Sequence, residues 1–413
     1  MFDLVKAINT GAGPQSSSLN APKGCTLIYQ TAECLSLVKE ITLFEGWIEP
    51  TVIKEALHTQ KIDSNILNDV VVLELNQSKN VVDDARYFAS QVPPHKGVII
   101  IGKEDAISTL RSLKEMGFYY VLWPVNKQEL TEFITHVNNN QQNFSGVSKQ
   151  RKAKSVAVVG SKGGVGTTLI CAELAAILSA QGADTILVDH QYTDSDIDVM
   201  LGIKSFQKYN MTDMTSPVNE LDDESAMLFL TDVKANLRIL ALEGDVSDSE
   251  ILSLSQALCK RLSRNTNFII EDYSGSTCFR IDPQLLVDRN DVVIIVIEPS
   301  VASVRNARNL IEKINNLHMS EGQMVRTISV LNCHRPSNAF ALTRKEVELY
   351  LEAPIDIDVA FNKQLSRIII EGKRAYQQDK AMETVFDSLA RLINGKANES
   401  KSSLNWLKKV FKR

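Results

Sequence analysis

The chain has 413 residues, of which 44% are hydrophobic and 23% are charged, and its net charge is −5. At roughly 150 residues per domain this length suggests two or three domains, of which we expect two, and the composition is that of an ordinary soluble globular protein. The acidic balance gives no support for a surface that attracts DNA or RNA, so a nucleic-acid-binding function is not expected.

The patterns that mark secretion, membrane insertion and disulfide formation are lacking from the sequence, which predicts a cytoplasmic protein. The N-terminus lacks the charged start and the long apolar centre of a secretory signal. No apolar run approaches the roughly 20 residues needed to span a bilayer. The six cysteines are scattered, with no Cys-x-x-Cys pair and no histidine at metal-ligand spacing, so we interpret them as reduced packing thiols.

Residues 1–24 form a Gly/Pro/Ser-rich lead, and residues 25–140 then alternate short apolar runs with amphipathic stretches. The runs read CTLIY, DVVVLEL, KGVIII and FYYVLW, and they are rich in β-branched and aromatic residues. Such runs predict buried strands, and the stretches between them are long enough for crossover helices. This part of the chain therefore predicts a small, doubly wound α/β domain.

A polar linker, residues 141–154, precedes a second series of strand candidates over residues 155–394. These read KSVAVVG, DTILVD, RILAL, NFIIED, DVVIIVIEP and RTISVLN, with helical stretches between them. The alternation predicts a second α/β domain with a larger, mainly parallel sheet. Residues 395–413 follow this domain as a basic tail.

Residues 156–168 carry the strongest functional signal and read VAVVGSKGGVGTT. In this order of strand, Gly-rich turn and apolar helix, backbone N–H groups converge on phosphate oxygens near the positive end of the helix dipole. Thr168 would place its hydroxyl on Mg²⁺. The loop departs from the common GxxxxGK[ST] pattern at Ser161 and Thr167, and a Gly-rich turn without a ligand is the alternative.

Lys162, early in this loop, resembles the signature lysine of the deviant Walker A motif in the ParA/MinD family of ATPases. The resemblance continues with Asp189, with Asp272 at the end of a Walker-B-like strand, and with Asn332 at the place of an adenine-contacting asparagine. It implies a P-loop NTPase domain that binds ATP and Mg²⁺, and a homodimer in which Lys162 reaches the partner's nucleotide. The candidate nucleotide-binding residues are Ser161, Lys162, Gly163, Gly164, Val165, Gly166, Thr167, Thr168 and Asn332.

Carboxylates at strand ends beside a phosphate loop are where Mg²⁺ and an attacking water need them. The resemblance implies metal-binding roles for Thr168, Asp189 and Asp272, and catalytic roles for Lys162, Asp189 and Gln191. Where the family reads Asp-x-Asp, this chain reads Asp189-His190-Gln191, and glutamine can orient water but cannot act as a carboxylate base. Slow or absent ATP hydrolysis is therefore expected. A turn or helix cap is the alternative role of each Asp.

The front domain, residues 26–140, resembles a response-regulator receiver, a flavodoxin-like fold, in the order of its strands and helices. The positions that carry receiver chemistry hold Gln30 and Thr31 at the acidic pair, Glu74 at the phosphoacceptor, Gly102 at the strand-end Ser/Thr and Trp123 at the lysine. Without the acidic pair the domain could not hold Mg²⁺, and with Trp123 in place of the lysine it would lack the positive charge that stabilises a transferring phosphoryl group. We therefore expect this domain to be a docking module. We interpret Glu74 as a solvated strand-end side chain, with mimicry of a permanently charged state as the alternative.

A degenerate receiver followed by a ParA/MinD-type domain with the loop KGGVGTT resembles the TadZ/CpaE family of pilus-assembly proteins over nearly the whole chain. Thr167 at the usual lysine position fits this family better than ParA or MinD proper. The resemblance implies an ATP-binding factor that localises a tight-adherence pilus apparatus, often at a cell pole, with the secretion ATPase and its membrane platform as partners. The alternatives are a ParA-type partition ATPase acting on DNA cargo and a metabolic P-loop enzyme.

In the tail, apolar residues fall within one half of a helix circumference at about 100° per residue, and lysines occupy the other half. The apolar residues are Leu404, Trp406, Leu407, Val410 and Phe411, and the lysines are Lys408, Lys409 and Lys412. This pattern is typical of a helix in the interface of an anionic membrane, and MinD ends in a similar tail. A tail that folds back onto the domain or stays disordered is the alternative.

Overall fold

The computed structural model describes residues 24–54, 62, 66–143, 151–213, 221–277, 281–321 and 325–395. These residues form two compact units, one built on the first five strands of the chain and the other on the strands that follow. The residues predicted to bind a membrane lie outside the described residues, namely Leu404, Trp406, Leu407, Val410 and Phe411. No helix within the described ranges is long and apolar enough to cross a bilayer.

The first unit is a small parallel α/β fold. Its strands are β1 (Cys25–Tyr29), β2 (Thr51–Lys54), β3 (Val70–Glu74), β4 (Gly97–Gly102) and β5 (Tyr119–Leu122). They lie parallel in the order β2-β1-β3-β4-β5, which is the flavodoxin-like doubly wound order. The helices of this part of the chain are α1 (Ala32–Phe44), α2 (Val81–Ala89), α3 (Ile107–Glu115) and α4 (Lys127–Asn143). The predicted parallel α/β architecture is confirmed, whereas β2 was not predicted because its side chains are mostly exposed.

Glu74, at the end of β3, is fully buried, so its interpretation as a solvated side chain is wrong. Its Oε2 accepts hydrogen bonds from the backbone N–H groups of Gln30 at 2.7 Å and Thr31 at 2.9 Å. Its Oε1 accepts from the hydroxyl of Thr31 at 2.6 Å and from the side-chain amide of Asn76 at 2.7 Å. These donors satisfy the carboxylate, which explains how it tolerates burial where a strand-end Glu is normally solvated.

The second unit contains a larger sheet. Its strands are β6 (Lys154–Gly160), β7 (Thr185–Asp189), β8 (Tyr209–Asn210), β9 (Leu230–Lys234), β10 (Leu237–Glu243), β11 (Phe268–Asp272), β12 (Val292–Ile297), β13 (Arg326–Asn332) and β14 (Ile357–Val359). The order is β14-β13-β12-β6-β11-β7-β10-β8 with parallel pairing, and β9 pairs antiparallel with β10. The predicted larger, mainly parallel sheet is confirmed.

The helices of the second unit are α5 (Thr167–Ala180), α6 (Ile197–Leu201), α7 (Asp223–Met227), α8 (Asp248–Leu262), α9 (Pro283–Arg289), α10 (Val301–Glu321), α11 (Arg344–Leu351), α12 (Leu365–Ile370), α13 (Ala375–Gln378) and α14 (Lys380–Ile393). They cover both faces of the sheet, which explains why its strands read as continuous apolar runs. In β6, Val156 and Val158 pack with α5 and α14, while Ala157 and Val159 pack with α10 and α11. The central strand is thereby fixed from both sides, and so is the loop at its carboxyl end.

The described cysteines behave as packing residues. Those that are free and buried are Cys25, Cys34, Cys171 and Cys259, whereas Cys333 is free and partly buried. Within the described ranges, no group of three or more His, Cys, Asp or Glu side chains is arranged to hold a metal ion. Cys278 lies outside the described residues.

Candidate nucleotide-binding site

The predicted site residues meet at one edge of the second sheet, together with Glu298, which was not predicted. Along the adjacent parallel strands β13, β12, β6, β11 and β7, the residues at or just after the carboxyl ends are Asn332, Glu298, Ser161, Asp272 and Asp189. Ligands of open parallel sheets bind outside the carboxyl ends of the strands, at the point where the strand order reverses direction. This edge is therefore the place to look for a bound ligand.

The loop between β6 and α5 has the backbone shape of a phosphate-binding turn. Gly164 and Gly166 have positive φ angles of 77° and 90°, which residues with side chains rarely adopt. Gly166 is the N-cap of α5, so the first N–H groups of this helix have no intrahelical partner. Gly163 and Gly164 are exposed to solvent. The loop therefore presents N–H groups and the positive end of a helix dipole to an anion.

Neighbouring elements hold the loop in place. The hydroxyls of Ser161 and Ser303 are 2.6 Å apart and buried, and the side-chain amide of Asn306 donates to the carbonyl of Ser161 at 3.0 Å. On another strand, the side-chain amide of Asn332 donates to the carbonyl of Val165 at 2.8 Å. These bonds use carbonyl and side-chain atoms of the loop, so they position it without using the N–H groups that a phosphate needs.

Two predicted nucleotide-binding side chains have packing roles in this arrangement. Asn332 is 2% exposed and its amide nitrogen is bound to the loop, so its contact with adenine stays a prediction. Thr167 is 5% exposed, and a Cβ at Gly160 would lie only 2.6 Å from its Oγ1. The hydroxyl of Thr167 therefore packs behind the loop, and its backbone N–H is the group that it can offer to a phosphate.

Asp189 and Asp272 are register partners at the ends of β7 and β11. Each is buried, and each accepts through Oδ1 the N–H of the residue two positions on, which is Gln191 at 2.9 Å and Ser274 at 3.0 Å. Both aspartates therefore cap the turns that follow their strands, as the alternative interpretation of each Asp predicted. The Oδ2 atoms, however, are buried without a hydrogen bond from any described residue. Because buried carboxylate oxygens are normally satisfied, two such atoms on neighbouring strands indicate a place for a cation.

The titration of Asp272 supports the same interpretation. Burial, and next the charge of Asp189, raise the pKa of Asp272 to about 6, although hydrogen bonding from Thr168 and Ser274 lowers it. A cation shared by the two carboxylates would remove their repulsion. Two carboxylates and the hydroxyl of Thr168 are hard oxygen ligands of the kind that Mg²⁺ prefers. The residues present therefore fit Mg²⁺.

Gln191 lies beside Asp189, but its side chain already bridges two loops. Its Nε2 donates to the carbonyl of Asp194 at 2.7 Å, and its Oε1 accepts from the hydroxyl of Ser274 at 3.2 Å. In this arrangement the amide positions the loops that follow β7 and β11. Its role in orienting a water molecule stays a prediction.

Lys208 also belongs to this edge, although no sequence pattern marked it. Its Nζ donates to the carbonyls of Gln191 at 2.5 Å and Tyr192 at 3.1 Å, and it lies 3.6 Å from Oδ2 of Asp189. The ammonium group therefore fixes the loop after β7 and offsets part of the charge of Asp189. Lys208 precedes β8, a two-residue strand that the sequence did not predict.

Lys162 is paired with an acidic residue of its own chain. Its Nζ lies 2.9 Å from Oε1 of Glu298, whose side chain is 6% exposed. Burial raises the pKa of Glu298, but hydrogen bonds from Lys162 and Ser300 outweigh burial and hold the pKa below its ordinary value. Glu298 directly follows the apolar strand β12, the same position relative to a strand as the two aspartates, but no functional role was predicted for it.

A strand, a glycine loop and a helix, flanked by two buried carboxylates at neighbouring strand ends, define a P-loop NTPase. A family model described as ParA, NUBPL iron-transfer P-loop NTPase, matches residues 151–394. This match covers more than half of the chain, which therefore belongs to this family of ParA/MinD-type P-loop NTPases. The predicted family of the second domain is confirmed.

The chain is similar in sequence and structure to MinD proteins. The septum site-determining protein MinD of Thermotoga maritima is 24% identical over 250 residues, which is 58% of this chain and 88% of that protein. MinD of Helicobacter pylori is 23% identical over 252 residues, 59% of this chain and 91% of that protein. The solved MinC:MinD cell division protein complex of Aquifex aeolicus matches with a TM-score of 0.47 and 22% identity, over 60% of this chain and 98% of that chain.

Proposed function

We propose that this protein binds ATP with Mg²⁺ at the edge formed by the phosphate loop, Asp189 and Asp272, and that the bound nucleotide controls a homodimer. The observation that carries this proposal is the pair of buried Oδ2 atoms beside the loop that accept no hydrogen bond from any described residue, of which only that of Asp189 has a cation, Lys208, at 3.6 Å. The loop N–H groups would bind phosphate oxygens, and Thr168, Asp189 and Asp272 would hold Mg²⁺, which neutralises phosphate charge. With Gln191 engaged in loop contacts, ATP turnover is slow at most.

We further propose that the dimer localises a tight-adherence pilus machine, with the secretion ATPase and its membrane platform as partners. Support comes from the resemblance to TadZ/CpaE proteins, in which a degenerate receiver precedes a ParA/MinD-type domain with threonine at the position of Thr167. The buried, self-satisfied Glu74 supports a docking role for the first unit because the carboxylate has no free position for phosphoryl chemistry.

The pilus proposal is tested by imaging a fluorescent fusion of the full chain in its own cells. We expect foci at a cell pole and loss of surface pili when the chain is deleted. We also expect dispersed foci in the Lys162→Ala variant, whereas replacing the exposed Lys380 should change nothing. Pili that form normally without the protein would contradict the proposal, and salt-dependent binding to DNA would favour a partition ATPase instead.

The tail is proposed to contact an anionic membrane through Leu404, Trp406, Leu407, Val410 and Phe411. Apolar residues would enter the acyl boundary, each lysine near the surface would contribute about 1 kcal/mol, and two tails on one dimer would bind more tightly than one. We expect ATP-enhanced sedimentation with phosphatidylserine vesicles, lost on truncation before Leu404 or in Trp406→Glu. Equal sedimentation of full-length and truncated chains would show that the tail does not bind.

A further inference from the structure

The side chain of Lys162 is held by its own chain. Its Nζ lies 2.9 Å from Oε1 of Glu298, and the exposed fractions of the two side chains are 34% and 6%. An ion pair with a buried carboxylate is screened less by solvent than a surface pair, so it holds the lysine more firmly. The amine therefore has a fixed partner before any phosphate reaches the loop.

The carboxylate of Glu298 is itself fixed. The hydroxyl of Ser300 donates to its Oε1 at 2.8 Å, and its backbone N–H donates to the hydroxyl of Ser303 at 2.9 Å. The hydroxyl of Ser303 lies 2.6 Å from that of Ser161 in the phosphate loop. Glu298 is thus tied to the loop that carries Lys162, which keeps the two charges together.

A second titratable group, His334, also faces Glu298. Its Nε2 lies 3.5 Å from Oε2 of Glu298, and neither atom forms a hydrogen bond with a described residue. Burial is the main reason why the pKa of His334 is lowered, so the ring is neutral at neutral pH. Lys162 therefore supplies the positive charge that compensates this buried carboxylate.

We infer that Glu298 is an internal competitor of phosphate for Lys162 and that it restrains ATP-dependent dimerisation. The inference rests on the proposed nucleotide function. Lys162 must leave Glu298 to reach the nucleotide of a partner, and while the ion pair persists the carboxylate offsets the positive charge that the lysine offers a phosphate. Only the fraction of molecules in which Lys162 is released from Glu298 can use this lysine to bind a phosphate. The apparent affinity for ATP is therefore reduced by that fraction. Glu298 therefore sets the ATP concentration at which the dimer forms.

Glu298→Gln tests this, because glutamine keeps the shape of the side chain and removes its charge. In sedimentation velocity of the full-length chain titrated with ATP and Mg²⁺, we expect half-maximal dimerisation at about tenfold lower ATP. Glu383→Gln, at an exposed position on α14, is the matched control and should leave the midpoint unchanged. In a Lys162→Ala background, Glu298→Gln should have no further effect because the competitor has lost its partner.

An unchanged or higher midpoint in Glu298→Gln would overturn the inference. So would an equal effect of Glu298→Gln with and without Lys162. Ser300→Ala, which removes the hydroxyl donor to Oε1, should shift the midpoint in the same direction by less, and it serves if Glu298→Gln does not fold.

Acylation of lysine amines without nucleotide separates a failure of this inference from a failure of the proposed function. Mass spectrometry should show Lys162 acylated several times faster in Glu298→Gln than in the unaltered chain, because the amine is released from its partner. Equal rates would overturn the restraint whether or not the protein binds ATP. Faster acylation together with absent ATP binding would show that Glu298 restrains Lys162 and would reject the nucleotide function on which the competition with ATP rests.

Discussion

Replacing Gly166 by alanine is expected to lower ATP affinity by about 100-fold, equivalent to about 2.7 kcal/mol. The residue has a φ of 90°, and a Cβ there would lie 2.4 Å from Nδ2 of Asn332. Asn332 is buried and bound to Val165, so relief of the clash must break that bond or move the loop. Calorimetric titration with ATP and Mg²⁺ measures the loss.

Gly46→Ala is the matched control for this substitution. Gly46 also has a positive φ, 67°, but an added Cβ would meet nothing within 4 Å. Its substitution should cost about 1 kcal/mol of stability through backbone strain and leave ATP affinity unchanged. If both variants bind ATP like the unaltered protein, the loop around Gly166 does not bind the nucleotide.

Asp272→Asn is expected to stabilise the metal-free fold and to impair the binding of ATP with Mg²⁺. The folded pKa of Asp272 is about 6, above its ordinary value of 3.8, because burial and Asp189 disfavour its charge. Ionised Asp272 thus costs the folded state about 3 kcal/mol at pH 7.5, and asparagine removes this cost. The gain in stability from asparagine should shrink as pH falls from 6 to 4. In this range Asp272 becomes protonated in the folded state, so less of the cost of its buried charge remains to be removed.

Denaturant unfolding in EDTA across this pH range measures the stability, and calorimetry measures the nucleotide. The exposed Asp232→Asn is the control, with no gain expected at any pH. With Mg²⁺ present, Asp272→Asn should weaken ATP binding at least about tenfold through loss of an oxygen ligand. A variant that is less stable at pH 7.5 and binds ATP normally would show that Asp272 has only the turn-capping role.

The sequence predicted those parts of the fold that depend on apolar patterning. Strands buried on both faces read as mainly apolar runs rich in β-branched residues, so β6, β11 and β12 could be predicted. Edge strands such as β2 and β8 were not, because an edge strand is short and partly exposed and needs no apolar run. Pairing along the edges depends on tertiary contacts that the local sequence does not encode.

Site residues could be predicted from the sequence when they lie at the end of an apolar strand or inside the Gly-rich loop. Asp189 and Asp272 were found in this way, and the structure places them as register partners. Lys208 could not be found because it reaches Asp189 only through the folded connection between β7 and β8. The burial of Glu74 was missed because three of its four hydrogen bonds come from Gln30 and Thr31, which are distant in sequence.

If the loop, Asp189 and Asp272 bind ATP with Mg²⁺, isothermal titration calorimetry of the full-length protein should detect it. We expect stoichiometric ATP binding with a Kd of about 1–100 μM in Mg²⁺, weakened at least about tenfold in EDTA. Absence of binding heat at two temperatures, with folded protein at micromolar and ATP at millimolar concentration, would contradict it.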